Sequence, residues 1–153
     1  MTDIYVIADC SGSFAELGKC DLQRLLLHTI SGIGTTEEFD AFAFHLYTWS
    51  DRLLEYQDGK RLSAGGRGDP GAFLEFLKSL QAPSRILFMS DGAFGQTTSA
   101  IKREIKRRGD LFLVLAVGAD ADQEDLRKLT ADQRVFRPSE IIAAMKTLCY
   151  AGE

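Results

Sequence analysis

Ile4-Tyr5-Val6-Ile7-Ala8-Asp9-Cys10-Ser11-Gly12-Ser13 decides how the rest of this chain reads. Ile4–Ala8 is a short apolar run rich in β-branched residues, the pattern of a strand covered on both faces. It stops abruptly at an acid. Asp9, Ser11 and Ser13 then alternate with Cys10 and Gly12, and in a loop leaving a strand a period of two turns all three polar side chains to one side. Gly12 lets the backbone bend there. In an open α/β sheet, ligands sit beyond the carboxyl ends of the strands.

Working outward, apolar runs and helical patterns alternate. Leu22, Leu25, Leu26, Ile30 and Ile33 lie at helical spacing, ended by Gly32 and Gly34. Asp40–Trp49 reads as a long strand, with Phe42, Phe44 and Leu46 on one face and Ala43, His45, Tyr47 and Trp49 on the other. Ser50-Asp51 turns into a short antiparallel partner, Arg52–Tyr56. Gln57–Gly71 holds five of the 14 glycines and reads as one long loop. Asp69-Pro70 opens a helix as cap and first residue, and Phe73, Phe76, Leu77 and Leu80 form its stripe. Then follow a strand at Arg85–Met89, a helix at Thr97–Arg108, a strand at Leu111–Val117, a helix at Asp122–Thr130 and a short strand at Val135-Phe136. Ser139 is expected to cap a last helix with Ile141, Ile142, Met145 and Leu148 inward. The alternation predicts one domain over residues 1–153. Its expected class is a doubly wound α/β fold: a mostly parallel sheet, one short antiparallel strand, and helices on both faces.

The composition, 45% hydrophobic and 26% charged, is that of a globular chain and argues against disorder or a coiled coil. The net charge of −4 disfavours nucleic acid as a partner. Leu111–Val117 is far shorter than the roughly 20 residues of a membrane span. Met1-Thr2-Asp3 lacks the basic start of a signal peptide. Cys10, Cys20 and Cys149 are odd in number with no C-x-x-C pair, so free thiols and a cytoplasmic setting are expected.

The strand Arg85–Met89 exits into Ser90-Asp91-Gly92, which places a second carboxylate at the same sheet edge. Asp9, Ser11, Ser13 and Asp91 form an oxygen-only set with no imidazole or thiolate, which suits Mg²⁺, with Mn²⁺ or Ca²⁺ as substitutes. Each residue also has a plain structural use. Ser13-x-x-Glu16 spells a capping box, Asp91-Gly92 a turn, and Asp69 a helix cap.

Taken in order, Asp9-x-Ser11-x-Ser13, the loop Gly65-Gly66-Arg67-Gly68-Asp69 and the element Ile86-Leu87-Phe88-Met89-Ser90-Asp91-Gly92 resemble the von Willebrand factor A family and its metal-ion-dependent adhesion site, over nearly the whole chain. That family's second loop supplies a threonine to the metal. Here Gly68 stands in its place, preceded by Arg67, so the resemblance leaves Asp69 or a water as the substitute ligand. The resemblance implies a binding module, not an enzyme. Its metal keeps an open position that a Glu or Asp of a protein partner fills, with Arg67 and Gly68 at the contact. The small chain is also similar to short bacterial members of the tellurite-resistance type.

Other motifs fit less well. Gly12…Gly18-Lys19-Cys20 has five residues between its glycines and a cysteine after the lysine, against four and Ser/Thr in a phosphate-binding loop. A phosphatase using Asp9 as nucleophile expects a second aspartate where Ser11 stands. A serine hydrolase requires a histidine base, and His28 and His45 read as packing residues within a helix and a strand. Lys102, Arg103, Lys106, Arg107 and Arg108 read first as a solvated face and a favourable helix C-terminus, and second as a patch for an acidic partner.

Overall fold

The computed structural model describes residues 1–15, 18–92, 98–118, 121–130 and 134–151. The elements are β1 (Thr2–Asp9), α1 (Lys19–Gly34), β2 (Phe42–Trp49), β3 (Leu53–Glu55), α2 (Pro70–Ser79), β4 (Arg85–Ser90), α3 (Thr98–Arg108), β5 (Leu111–Ala116), α4 (Gln123–Arg127), β6 (Val135–Phe136) and α5 (Ile141–Tyr150). The sheet runs β3-β2-β1-β4-β5-β6. β1 lies parallel to β2 on one side and to β4 on the other, and among the described strands only β3 is antiparallel, through Tyr47↔Glu55, Thr48↔Leu54 and Trp49↔Leu53. The doubly wound class expected from the sequence is therefore the observed one.

The apolar composition of the inner strands follows from cover on both faces. Ile4, Val6 and Ala8 pack with Leu26, Leu27 and Ile30 of α1 and with Ala144, Met145 and Leu148 of α5. Ile7, Trp49, Phe88 and Val114 pack on the other face with Phe73 and Leu77 of α2, Ile101 and Ile105 of α3, and Leu126. Trp49, Phe73 and Phe88 meet edge to face, at centroid distances of 5.1–5.7 Å. The chain runs from β1 to β2 on one side and later returns to β4 on the other. This reversal opens a crevice between the carboxyl ends of β1 and β4, where Asp9 and Asp91 lie.

Several local expectations are corrected. The inward residues of α1 are Lys19, Gln23, Leu26, Leu27 and Ile30, whereas Leu25 is 59% exposed; the stripe is rotated because two polar residues continue it. Ser139 lies inside a 3-10 turn, Pro138–Glu140, and does not cap α5. The turn is closed instead by Arg137 N–H donating to Glu140 Oε1 at 2.9 Å. Ile142 is 49% exposed, and Ala144 and Cys149 take inward positions. The helix expected over Asp122–Thr130 is the shorter α4, with Asp122 capping it through Asp125 N–H. The loop after Gln57 ends at Asp69, since Pro70 and Gly71 already belong to α2. Thr97 lies outside the described residues.

The basic run on α3 is partly structural. Arg108 Nε donates to Asp110 Oδ2 at 2.8 Å, with side chains 4% and 0% exposed. Asp110 Oδ1 also accepts Ser84 N–H at 2.7 Å, and Arg108 donates to Leu80 O. Removing one partner of a buried, hydrogen-bonded pair strands the other charge. Asp110→Ala should thus lower stability by about 3–5 kcal/mol in urea unfolding. Lys128→Ala, which breaks the exposed Asp125–Lys128 pair, should cost less than about 1 kcal/mol.

Candidate metal site at the strand ends

Asp9 closes β1 and is fully buried. Its Oδ1 accepts Ser11 N–H at 2.9 Å and its Oδ2 accepts the Ser90 hydroxyl at 2.7 Å. Ser90 Oγ accepts Gly92 N–H in turn. Gly92 has φ +79° and a Cβ there would lie 2.6 Å from Asp122 O, so the chain can leave β4 in this direction only through glycine. Asp91 is 1% exposed, and its carbonyl accepts Asp122 N–H at 2.7 Å. Its Oδ2 accepts Lys19 Nζ at 3.0 Å, and Lys19 is 3% exposed.

Two further contacts hold this edge together. Gln23 Nε2 donates to Asp9 O and Met89 O at 2.9 and 3.0 Å, tying the ends of β1 and β4 across the crevice. The glycine-rich loop is pinned against the first loop by Gly12 N–H to Gly66 O and Gly65 N–H to Cys10 O, both 3.0 Å.

Four of the residues singled out by sequence, Asp9, Ser11, Ser13 and Asp91, belong to this edge. Ser13 lies in the 3-10 turn Gly12–Ala15, while α1 begins only at Lys19, after Gly18; Glu16 lies outside the described residues. Asp69 has another task. Its Oδ1 accepts Gly71 N–H at 2.9 Å as the cap of α2, and its carbonyl accepts the Trp49 indole N–H. A Cβ at Gly68 would lie 2.7 Å from the buried Trp49 ring, so a threonine has no room there. Arg67 is exposed, held by its amide on Asp51 Oδ1.

Sequence reasoning did not name Gln23, and it named Lys19 only in a rejected phosphate-loop motif and Ser90 only as part of the family motif, without the roles they have at this edge. A signal for two existed, because Lys19 and Gln23 stand at i and i+4 ahead of Leu26, Leu27 and Ile30. His45 stacks on Tyr5 and meets Asp3, but His28 is exposed and faces Asp58, which corrects the packing role expected for it. None of Cys10, Cys20 and Cys149 is in a disulfide, and burial, with Asp9 nearby, pushes the Cys10 thiol up to about 12, far from a reactive thiolate.

Burial is the main force on Asp9 and pushes its carboxyl from 3.8 up to about 6. The Ser11 hydroxyl and amide and the Ser90 hydroxyl pull it back, and the Asp91 charge pushes it further up. The Ser11 hydroxyl is close enough to Asp9 to pull its carboxyl down but closes no hydrogen bond of ordinary geometry, and the buried Ser13 Oγ closes none either. Buried hydroxyls are nearly always satisfied. Ser11 Oγ, next to the Asp9 carboxylate, and Ser13 Oγ, in the turn that follows, are hard-oxygen donors of the kind a divalent cation takes, so the residues fit such an ion. Among the described residues no three His, Cys, Asp or Glu side chains cluster, so the hydroxyls are essential to any such set.

The sign of the Asp9 shift sets a pH dependence. A carboxyl raised on folding favours the fold while protonated and opposes it once ionised. In chelator, the domain should lose up to about 3 kcal/mol of stability as the pH rises from 3.8 through about 6. Asp9→Asn should flatten that part of the profile in urea unfolding measured across pH.

No sequence-family profile matches the chain, and no curated protein matches its sequence. Solved structures do match its fold. The manganese-loaded TRAP protein of Plasmodium vivax superposes with a TM-score of 0.69 at 15% identity, over 97% of this chain and 73% of that one. Proximal thread matrix protein 1 of the mussel byssus, with a zinc-occupied MIDAS motif, gives 0.68 at 18% identity, over 97% of this chain and 46% of that one. A von Willebrand factor type A protein of Catenulispora acidiphila gives 0.61 at 14%, over 96% and 42%. The chain thus spans less than half the length of the mussel protein. In the order of its strands and in this likeness, the chain has the fold of the von Willebrand factor A family.

Proposed function

We propose that this domain is a metal-dependent protein-interaction module and not an enzyme. The observation that carries the reading is two buried hydroxyl oxygens without a hydrogen bond of ordinary geometry, Ser11 Oγ and Ser13 Oγ, in the loop that leaves β1 at the buried Asp9. Asp9, Ser11 and Ser13 would hold Mg²⁺, or Mn²⁺ or Ca²⁺ in its place, with Asp91 as the second carboxylate. One structural neighbour has a zinc-occupied MIDAS motif and another is manganese-loaded, which supports a divalent ion as the ligand. Such an ion supplies an electrophilic point for one more anionic oxygen, since neutral hydroxyl ligands leave its charge incompletely offset.

The rest of the contact falls to this chain's own residues. The partner presents a Glu or Asp. A specific interface requires roughly 800 Å² per partner, so loops around the ion must add surface. Gly65 and Gly66 hydrogen-bond to the loop after β1, and exposed Arg67 follows them directly, which supports a contribution of residues 57–69 to the contact. Arg67 would pair bidentately with a carboxylate of the partner. Neither nucleic acid nor membrane is part of this reading, and the cytoplasm is the proposed location. No helix among the described residues is long and apolar enough to cross a membrane. Nucleotide binding is disfavoured, because Lys19 is buried on Asp91 and not presented to a phosphate.

Calorimetric titration with MgCl₂ and MnCl₂ should show one site in the wild type and none in Asp9→Ala. A partner captured from native lysate in Mg²⁺ should be lost in chelator. Arg67→Ala should weaken capture about tenfold while leaving the metal titration unchanged. Equal metal binding by wild type and Asp9→Ala would overturn the site. Capture that survives chelation but is lost when Lys102, Arg103 and Lys106 are neutralised would move the interface to α3.

A further inference from the structure

We infer that Lys19 is a resident counter-ion of the site, and that a divalent cation binds only in competition with its ammonium group. The inference rests on the metal reading above and concerns what limits it. Lys19 opens α1 directly after Gly18, whose φ of +69° turns the chain sharply into the helix. The turn aims the lysine inward, where it is 3% exposed, with Nζ 3.0 Å from Asp91 Oδ2 and 6.0 Å from the Phe14 ring centroid. A lysine is rarely buried so completely unless it is paired, because desolvating an ammonium is costly. Asp91 has the same difficulty at 1% exposure. Each therefore stabilises the other when no metal is bound.

Charge arithmetic turns that pairing into a limit on affinity. Asp9, Asp91 and Lys19 sum to −1. A divalent cation that shares Asp91 with Lys19 meets one more positive charge than it would with the ammonium displaced. In a site excluded from water, an excess positive charge is weakly screened and lowers cation affinity. Asp91 can serve the ion fully only if Lys19 releases it. Gly68, where the family places a metal-contacting threonine, offers no compensating ligand. The site is thus built to remain folded without metal and to take metal weakly, at concentrations where the ion displaces the lysine.

The test measures Mn²⁺ affinity by electron paramagnetic resonance of the free ion, and thermal unfolding in chelator and in MnCl₂. Lys19→Met should bind Mn²⁺ at least tenfold more tightly than wild type, unfold at lower temperature in chelator, and recover more of its stability on adding MnCl₂. Lys19→Gln keeps a donor for Asp91 without the charge and should also tighten binding, which covers the case in which Lys19→Met does not fold. Lys19→Arg keeps the charge and should remain weak. Wild-type binding with no tightening in a folded Lys19→Met or Lys19→Gln would overturn the inference while leaving the metal site intact. No Mn²⁺ binding at millimolar concentration by wild type or either charge-removing variant would overturn both.

Discussion

Buried negative charge at the ends of two adjacent parallel strands is the constraint around which this domain is organised. Asp9 and Asp91 are both removed from solvent at the crevice between β1 and β4. Carboxylates in that position destabilise the fold unless something answers them. The chain answers twice. Asp9 receives the Ser11 amide and the Ser90 hydroxyl and is still left well above its ordinary range, whereas Asp91 receives a lysine. The two acids differ in this respect: one is answered by neutral dipoles and stays short of positive charge, and the other is paired with a cation. That asymmetry leaves the Asp9 side, with two buried hydroxyls that close no hydrogen bond of ordinary geometry, as the place where an external cation has most to offer.

The surrounding structure serves to hold that arrangement. Gln23 reaches from α1 to the carbonyls of Asp9 and Met89 near the ends of β1 and β4, so the helix that carries Lys19 is also tied to both strands. The Trp49 ring fills the space under Gly68, and its indole N–H fixes the carbonyl of Asp69. Asp69 is therefore spent on the start of α2, and its side chain is engaged as a cap. The glycine-rich loop is not loosely appended. Its hydrogen bonds to Cys10 and Gly12 make it a second wall of the site, carrying Arg67 at the surface.

Much of this was legible in the sequence, and for physical reasons. The run Ile4–Ala8 reads as a strand covered on both faces, and the break at Asp9 marked its carboxyl end, where Asp9 closes β1. The order of strands and helices fixed the doubly wound class. What escaped were residues whose roles depend on partners far along the chain. Lys19 meets Asp91 and Gln23 meets Met89, 72 and 66 positions away. Apolar periodicity selects residues by their own hydrophobicity, so it grouped Leu25 with the apolar positions of α1 and left Lys19 and Gln23 out of them. Ile142 was misjudged for the same reason: an apolar side chain at the right spacing carries no mark that the sheet fails to reach it. Asp69 shows the converse limit, since a cap and a ligand look alike until the geometry of the loop is known.

The central claim is that the edge formed by Asp9, Ser11 and Ser13 receives a divalent cation. Anomalous diffraction from crystals grown with MnCl₂, recorded on both sides of the manganese absorption edge, tests it most directly. The account predicts a single manganese peak within coordinating distance of the Asp9 carboxylate and the Ser11 and Ser13 hydroxyls. Manganese found only elsewhere on the surface, or no peak at this edge with Lys19 still seated on Asp91 at saturating MnCl₂, would contradict it.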